Sequence, residues 1–197
     1  MAGDISDFEE FYQACYGRMV ALVAAMVGDR HQAEDIAQEA FARALTRWKR
    51  VARYDVPEAW VRRVALRLTI DASRRMRRAR LMSVLLAAGQ RGQSGSRWHD
   101  PDDPLAVTAL SIAVMRLPLA QRQVLILYYL ADLPVDDIAR DCGVSVGTVR
   151  NRLAAARRRL QRELTDSDAD SDSRSDSGSG SDSGSDSDSD EAVPHAR

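Results

Sequence analysis

At 197 residues with 45% hydrophobic content, the chain is long enough for one medium domain or two small ones with real cores. Its formal net charge of −1 conceals two opposite parts: residues 165–197 hold ten acidic residues against Arg174 and Arg197, while residues 1–164 hold 26 basic and 19 acidic residues. A basic body with an acidic tail favours a polyanion-binding protein over a generic enzyme.

Cys15 and Cys142 stand without a CxxC pattern or a histidine at ligand spacing, so neither a disulfide framework nor a metal site is expected. The longest apolar run, "MVALVAAMV" at 19–27, is too short to span a bilayer. The N-terminus "MAGDISDFEE" is acidic where a signal peptide is basic. A soluble cytoplasmic protein is the expectation. P-loop, GxGxxG, nucleophile-elbow and HExxH motifs do not occur, and His31, His99 and His195 fall at a helix start, in a linker and in a tail. Neither catalysis nor a cofactor is expected.

Helical spacing dominates and period-two alternation is scarce, so the fold class is all-α. Asp7–Val27 reads as a first helix with Phe8, Tyr12, Met19, Leu22 and Met26 on one side. "VGDR" then supplies a glycine stop and an aspartate cap. His31–Trp48 reads as a second helix with Ile36, Phe41, Leu45 and Trp48 inside, and Pro57 opens a long third one. From about Met82 to Pro104 the pattern dissolves into "GQRGQSGSRWHDPDDP", a linker composition. Helical spacing returns from Leu105 to about Leu164, followed by a Ser/Asp repeat with nothing to anchor a fold. The expected organisation is two small helical domains, 1–81 and 105–164, joined by a flexible linker, 82–104, with a disordered acidic tail, 165–197.

Within 137–160, "DIARDCGVSVGTVRNRLAAARRRL", the spacing is that of two helices crossing at a glycine turn. Pro134, Asp136 and Asp137 suit the start of the first helix. Ile138 and Ala139 face inward, Gly143 sits in the turn, and Ser145 caps the second helix. Val149, Leu153, Ala156 and Leu160 form one apolar stripe. Gly147, Arg150, Asn151, Ala154 and Arg158 lie on roughly the opposite side. Arginine and asparagine can each bond a base edge in bidentate fashion, while glycine and alanine permit close approach. Arg157, Arg159 and Arg162 suit phosphates. The pattern is a helix-turn-helix whose second helix reads DNA.

The segment "LPLAQRQVLILYYLADLPVDDIARDCGVSVGTVRNRLAAARRRL" resembles region 4 of the extracytoplasmic-function sigma factors of bacterial RNA polymerase. The matching pieces are "LP..QR.V..L.Y", "L...DIA...G.S.GTV..RL" and "AR..L". The resemblance implies binding to the promoter −35 element and to the flap of the polymerase β subunit. It makes Arg150 and Asn151 the leading base readers, with Thr148 and Arg152 near the backbone. "FEEFYQACYGRMVALVAAMVGDRHQAEDIAQEAFARALTRW" is similar to region 2 of the same family. That implies a polymerase β′ clamp contact through Asp35, Gln38, Glu39 and Phe41, with Arg43 nearby.

The helix from Pro57 is similar to the family's promoter-melting segment. Arg62, Arg63, Arg67, Arg74, Arg75, Arg77 and Arg78 would offer charge to −10 phosphates, and Arg67 stands where the family often has asparagine. The preceding loop "KRVARYDV" corresponds to the family's base-capturing stretch, with Lys49, Arg50, Arg53 and Tyr54 available. Trp60 is read as core rather than as a stacking platform. The SigE-like actinobacterial subgroup is the expected home, and an anti-sigma factor is a further expected partner. By analogy the linker threads the polymerase interior. The tail is read as a solvated extension, with competition for the basic face of region 4 as the sharper alternative. The rival reading of the whole is a stand-alone helix-turn-helix regulator, which leaves "AEDIAQEAF" and the arginine-rich third helix unexplained.

Overall fold

The computed structural model describes residues 2–86 and 109–175. Among the described residues all regular structure is helical: α1 (Ala2–Val27), α2 (Arg30–Leu45), α3 (Trp48–Val51), α4 (Pro57–Leu86), α5 (Ala109–Arg116), α6 (Leu119–Tyr129), α7 (Val135–Cys142) and α8 (Val146–Ser175). The first four build one module and the last four a second.

The link between α1 and α2 forms as the sequence dictates. Gly28 takes φ +76°, a left-handed conformation open to glycine. Asp29 then caps α2 by accepting the Gln32 N–H at 3.0 Å. The buried face of α2 alternates small and large residues, Ala33, Ile36, Ala37, Ala40, Phe41 and Ala44, so α1 approaches it closely.

Several boundaries differ from the sequence expectation, the first being the start of α1 at Ala2, ahead of Asp7. The second helix stops at Leu45, which is 48% exposed instead of inward-facing, and Trp48 opens the separate one-turn α3. Tertiary packing overrides the helical period there: the Trp48 ring lies 5.2 Å from Phe8 and 5.0 Å from Phe11 between centroids. The Thr46 hydroxyl donates back to the Arg43 carbonyl at 2.9 Å, the kind of local bond that ends a helix.

The α4 helix runs to Leu86, past the expected linker start at Met82, because "LMSVLL" is rich in helix formers and the first glycine is Gly89. The rest of the expected linker and the expected helix start at Leu105 lie outside the described residues. Likewise α8 continues to Ser175 instead of ending near Leu164, so the first part of the expected tail is helical. After Gly147 no glycine or proline interrupts the sequence before Gly178. Residues 176–197 lie outside the described residues.

The two modules face each other, with α1 against α6 and α4 against α7. Met19, Val23, Met26, Val61 and Ala65 of the first module share one continuous core with Val124, Leu127, Ile138 and Val149 of the second. Full burial of a side chain such as Met26 or Leu127 stabilises by about 1.5–3 kcal/mol.

Candidate nucleic-acid interface

The helix-turn-helix is assembled by its turn. Gly143, at φ +66°, closes α7 with its N–H on the Ala139 carbonyl, and Val144 adds a second bond to the same oxygen at 3.0 Å. Ser145 caps α8, its hydroxyl accepting the Thr148 N–H at 3.1 Å. The Thr148 side chain is tied to that same hydroxyl at 2.9 Å.

The inner stripe of α8 forms as expected, with Val149, Leu153 and Ala156 buried and Leu160 packed beside them. This orientation sends Gly147, Arg150, Asn151 and Arg158 to the exposed side, with Ala154, Thr148 and Arg152 half-buried at its edges. Arg157 has a restraint that the sequence reading missed. Its Nε donates to the Tyr129 hydroxyl at 2.9 Å, and its guanidinium lies 5.6 and 5.5 Å over the Tyr128 and Tyr129 rings. The adjacent "YY" ending α6 is the sequence signal for this seat.

On the first module, Lys49, Arg50 and Arg53 are exposed and Tyr54 is half-buried. Their loop is held by the buried Val51, whose carbonyl accepts the Tyr54 N–H at 3.1 Å. Along α4, Arg67, Arg74 and Arg75 are exposed and Arg63 is half-buried, giving a basic face. Arg62 does not share it. It is 8% exposed, and its Nε donates to Asp141 Oδ2 of α7 at 2.6 Å. Trp60 is half-buried, packed on the core and lining a groove with Arg43, Arg47, Arg63, Arg67 and Arg140.

Of the residues expected to meet polymerase, Asp35, Gln38 and Glu39 are exposed together on α2. Glu39 pairs with Arg43 at 2.7 Å, and the Gln38 amide reaches the Tyr16 hydroxyl at 3.5 Å. Phe41 differs. At 2% exposure it is a scaffold residue ringed by Phe11, Tyr12 and Tyr16, because its register places it on the face that α1 covers.

Arg122 was not singled out from the sequence, yet it ties three segments together. It donates to the carbonyls of Met26 at 2.6 Å, Leu117 at 3.0 Å and Met115. Burial lowers its pKa to about 10, which leaves it charged at neutral pH. Burial also pushes the Cys142 thiol up to about 11. Among the described residues no group of histidine, cysteine or acidic side chains is arranged to hold a metal ion, and no helix is long and apolar enough to cross a membrane.

Residues 11–79 match the family description Sigma-70 region 2, and residues 109–160 match Sigma-70, region 4. The chain is 31% identical over 180 residues to the ECF RNA polymerase sigma factor SigW of Bacillus subtilis, spanning 83% of this chain and 88% of that protein. It is 26% identical over 167 residues to the RNA polymerase sigma-E factor of Streptomyces coelicolor, spanning 84% and 90%. In fold it is similar to the sigma factor RpoE from Bartonella quintana, solved with the anti-sigma factor NepR. The TM-score there is 0.62 at 22% identity, covering 81% of this chain and 97% of that one. It is also similar to CnrH solved with the cytosolic domain of CnrY, at TM-score 0.56 and 19% identity, covering 85% and 92%. A sigma factor is thus the class that the two modules, in this order, define. The chain belongs to the extracytoplasmic-function sigma factors of bacterial RNA polymerase. The stand-alone regulator reading is not favoured, because it leaves the region 2 match without a role.

Proposed function

We propose that this sigma factor divides promoter recognition between two surfaces on separate modules. The outward face of α8 reads the −35 element, with Arg150 and Asn151 on base edges and Arg152, Arg157 and Arg158 toward phosphates. Gly147 and Ala154 leave room for close approach. The loop bearing Lys49, Arg50, Arg53 and Tyr54, with Arg63, Arg67, Arg74 and Arg75 of α4, holds the −10 strand by charge and one ring face. Arg62 joins that surface only once it is released from Asp141. On α2, Asp35, Gln38 and Glu39 meet the β′ clamp, and the second module meets the β flap.

The observation that carries this reading is the orientation of α8: its apolar stripe is buried in its own module, which leaves the arginine and asparagine side outward. An anti-sigma partner is supported by RpoE and CnrH, each solved with a second protein, the former named as an anti-sigma factor. Placement in the SigE-like actinobacterial subgroup rests on the similarity to Streptomyces sigma-E factors at 26–27% identity and on the arginine-heavy composition. Run-off transcription with purified bacterial core polymerase and genomic fragments tests the assignment. Defined start sites sharing an upstream motif are expected, and their absence with well-folded protein would overturn it.

A further inference from the structure

Four arginines line a cleft of about 620 Å³ between α4 and the second module: Arg67, Arg74 and Arg77 of α4, and Arg152 of α8. The three on α4 fall at i, i+7 and i+10, on one side of the helix. Among the described residues none of the four forms an ion pair. Asp141 also lines the cleft, but its carboxylate is already held by Arg62 and Arg63. Like charges gathered around a cavity raise the potential inside it and draw an anion. The start of α6 lies at the same cleft, where Pro118 supplies no side-chain cap. The first N–H groups to reach the Pro118 carbonyl are those of Gln121 and Arg122, so the Leu119 and Ala120 N–H groups stay unpaired among the described residues. The positive end of a helix of 11 residues thus opens beside the arginines. Independently, Gln123 lines the cleft at 4% exposure, and its Nε2 is buried without a hydrogen-bond partner. A buried amide donor in that state calls for an acceptor that the chain does not supply. Leu66, Ile70 and Val144 make part of the wall apolar.

We propose that this cleft binds a small organic polyphosphate of nucleoside triphosphate size. Its phosphates lie at the start of α6, against Gln123 and the arginines, and its uncharged body lies against Leu66, Ile70 and Val144. The donor set suits phosphate oxygens: guanidinium groups, helix N–H groups and one amide nitrogen, with the nearby carboxylate neutralised. The volume falls within the range of about 300–1,000 Å³ usual for small-molecule sites. A lone inorganic phosphate would leave the apolar wall uncovered and could not meet donors that come from three helices. The site goes beyond promoter recognition, in which Gln123 has no part. Arg67 and Arg74 are shared with the proposed −10 surface, so a DNA strand is the other source of the same phosphate chemistry, and the two sources are told apart by how they respond to Gln123.

The full chain is titrated with ATP by calorimetry near physiological salt. One saturable site is expected, and the lack of saturable binding overturns the proposal. Gln123→Leu and Arg77→Gln are each expected to weaken binding about tenfold or more, since each removes a bond to a charged group. Gln123→Leu replaces a donor that has no partner, so the unliganded melting temperature should hold. Where that variant lowers helical content, Arg77→Gln, at an exposed position, carries the test alone. Arg78→Gln lies one position along and outside the cleft lining, and should leave the Kd within about twofold. A loss there equal to that of Arg77→Gln means diffuse attraction, and overturns the site. Inorganic tripolyphosphate should bind about tenfold more weakly than ATP, because it leaves the apolar wall uncovered. Equal binding overturns the assignment to an organic ligand. A random-sequence single-stranded oligonucleotide should be indifferent to Gln123→Leu. If it loses as much affinity as ATP does, the cleft belongs to DNA and the proposal falls.

Discussion

Arg62 and Asp141, 79 positions apart in the chain, form an ion pair at 2.6 Å that is buried on both sides and joins the two DNA-facing modules. In a rigid interior, removing one partner of such a pair costs about 3–5 kcal/mol, because a charge is left without compensation. Were the modules to part, Arg62 would return to water, at the cost of uncovering the core they share. The penalty for Asp141→Asn is therefore capped by the free energy of closure. Calorimetry of the wild type is expected to show one cooperative transition and the variant two. The apolar pair Arg62→Met with Asp141→Leu should restore one, as hydrophobic replacements of buried pairs often match or exceed them.

Gly147 separates fold from function at the start of α8. A Cβ placed there would meet only the Ser145 hydroxyl, at 3.9 Å, which is ordinary contact, and the backbone is not left-handed. Gly147→Ala should therefore leave the melting temperature unchanged or raise stability by about 0.4–1 kcal/mol. If the missing side chain serves close approach to DNA, the same variant weakens −35 binding by the holoenzyme. A gel-shift titration beside a thermal melt reads both.

The outward residues of α8 should divide into two kinds. Arg150→Ala and Asn151→Ala are each expected to cost about 1–3 kcal/mol at one base pair and to relax preference there. Arg158→Ala should weaken all sequences alike and reduce the slope of log affinity against log salt by about one. Holoenzyme binding to a panel of singly substituted −35 duplexes, at several salt concentrations, distinguishes the two patterns.

Much of this arrangement is legible along the chain, because it is local. Gly28 with Asp29, Gly143 with Ser145, and the stripe Val149, Leu153, Ala156 follow from turn chemistry and a 3.6-residue period. What escapes is what depends on distant partners. Trp48 leaves the helical period for Phe8 and Phe11, and Leu45 turns outward as a result. Arg62 looks the same in sequence as Arg63 or Arg67, and only the docking of α7 buries it. Arg122 sits in an ordinary "AQRQ" helix start, and its three carbonyl partners come from two other parts of the chain, the end of α1 and the end of α5. A charged residue's role is set by what faces it, and facing is a tertiary property.

Phe41 and Glu39 sit two residues apart on α2 and should fail differently. Phe41 is buried among Phe11, Tyr12 and Tyr16, so Phe41→Ala is expected to cost about 3–5 kcal/mol of stability. Glu39 is exposed and, among the described residues, pairs with Arg43, so Glu39→Ala should change stability by about 0.5 kcal/mol at most. Core polymerase capture should show the reverse sensitivity among well-folded variants, with Glu39→Ala weakening binding. Denaturant unfolding and polymerase pull-down, run in parallel, check the pair.

Cys142 reports on the same interface through its ionisation. Burial pushes its thiol from the ordinary 9.0 to about 11, with Asp141 adding to the rise and Arg152 opposing it. The unfolded chain releases this proton first, so the stability tied to the neutral thiol is complete below pH 9 and is lost as pH rises through about 11. At neutral pH the folded chain then holds roughly 100-fold less thiolate at this position than an ordinary cysteine. Iodoacetamide should modify Cys142 correspondingly slowly, as read by peptide mapping that separates it from the buried Cys15. Asp141→Asn removes one of the two causes of the rise, the neighbouring carboxylate. Its Cys142 should therefore alkylate markedly faster at the same pH, and equal rates in the two proteins would mean that the thiol's surroundings do not depend on the Arg62–Asp141 contact.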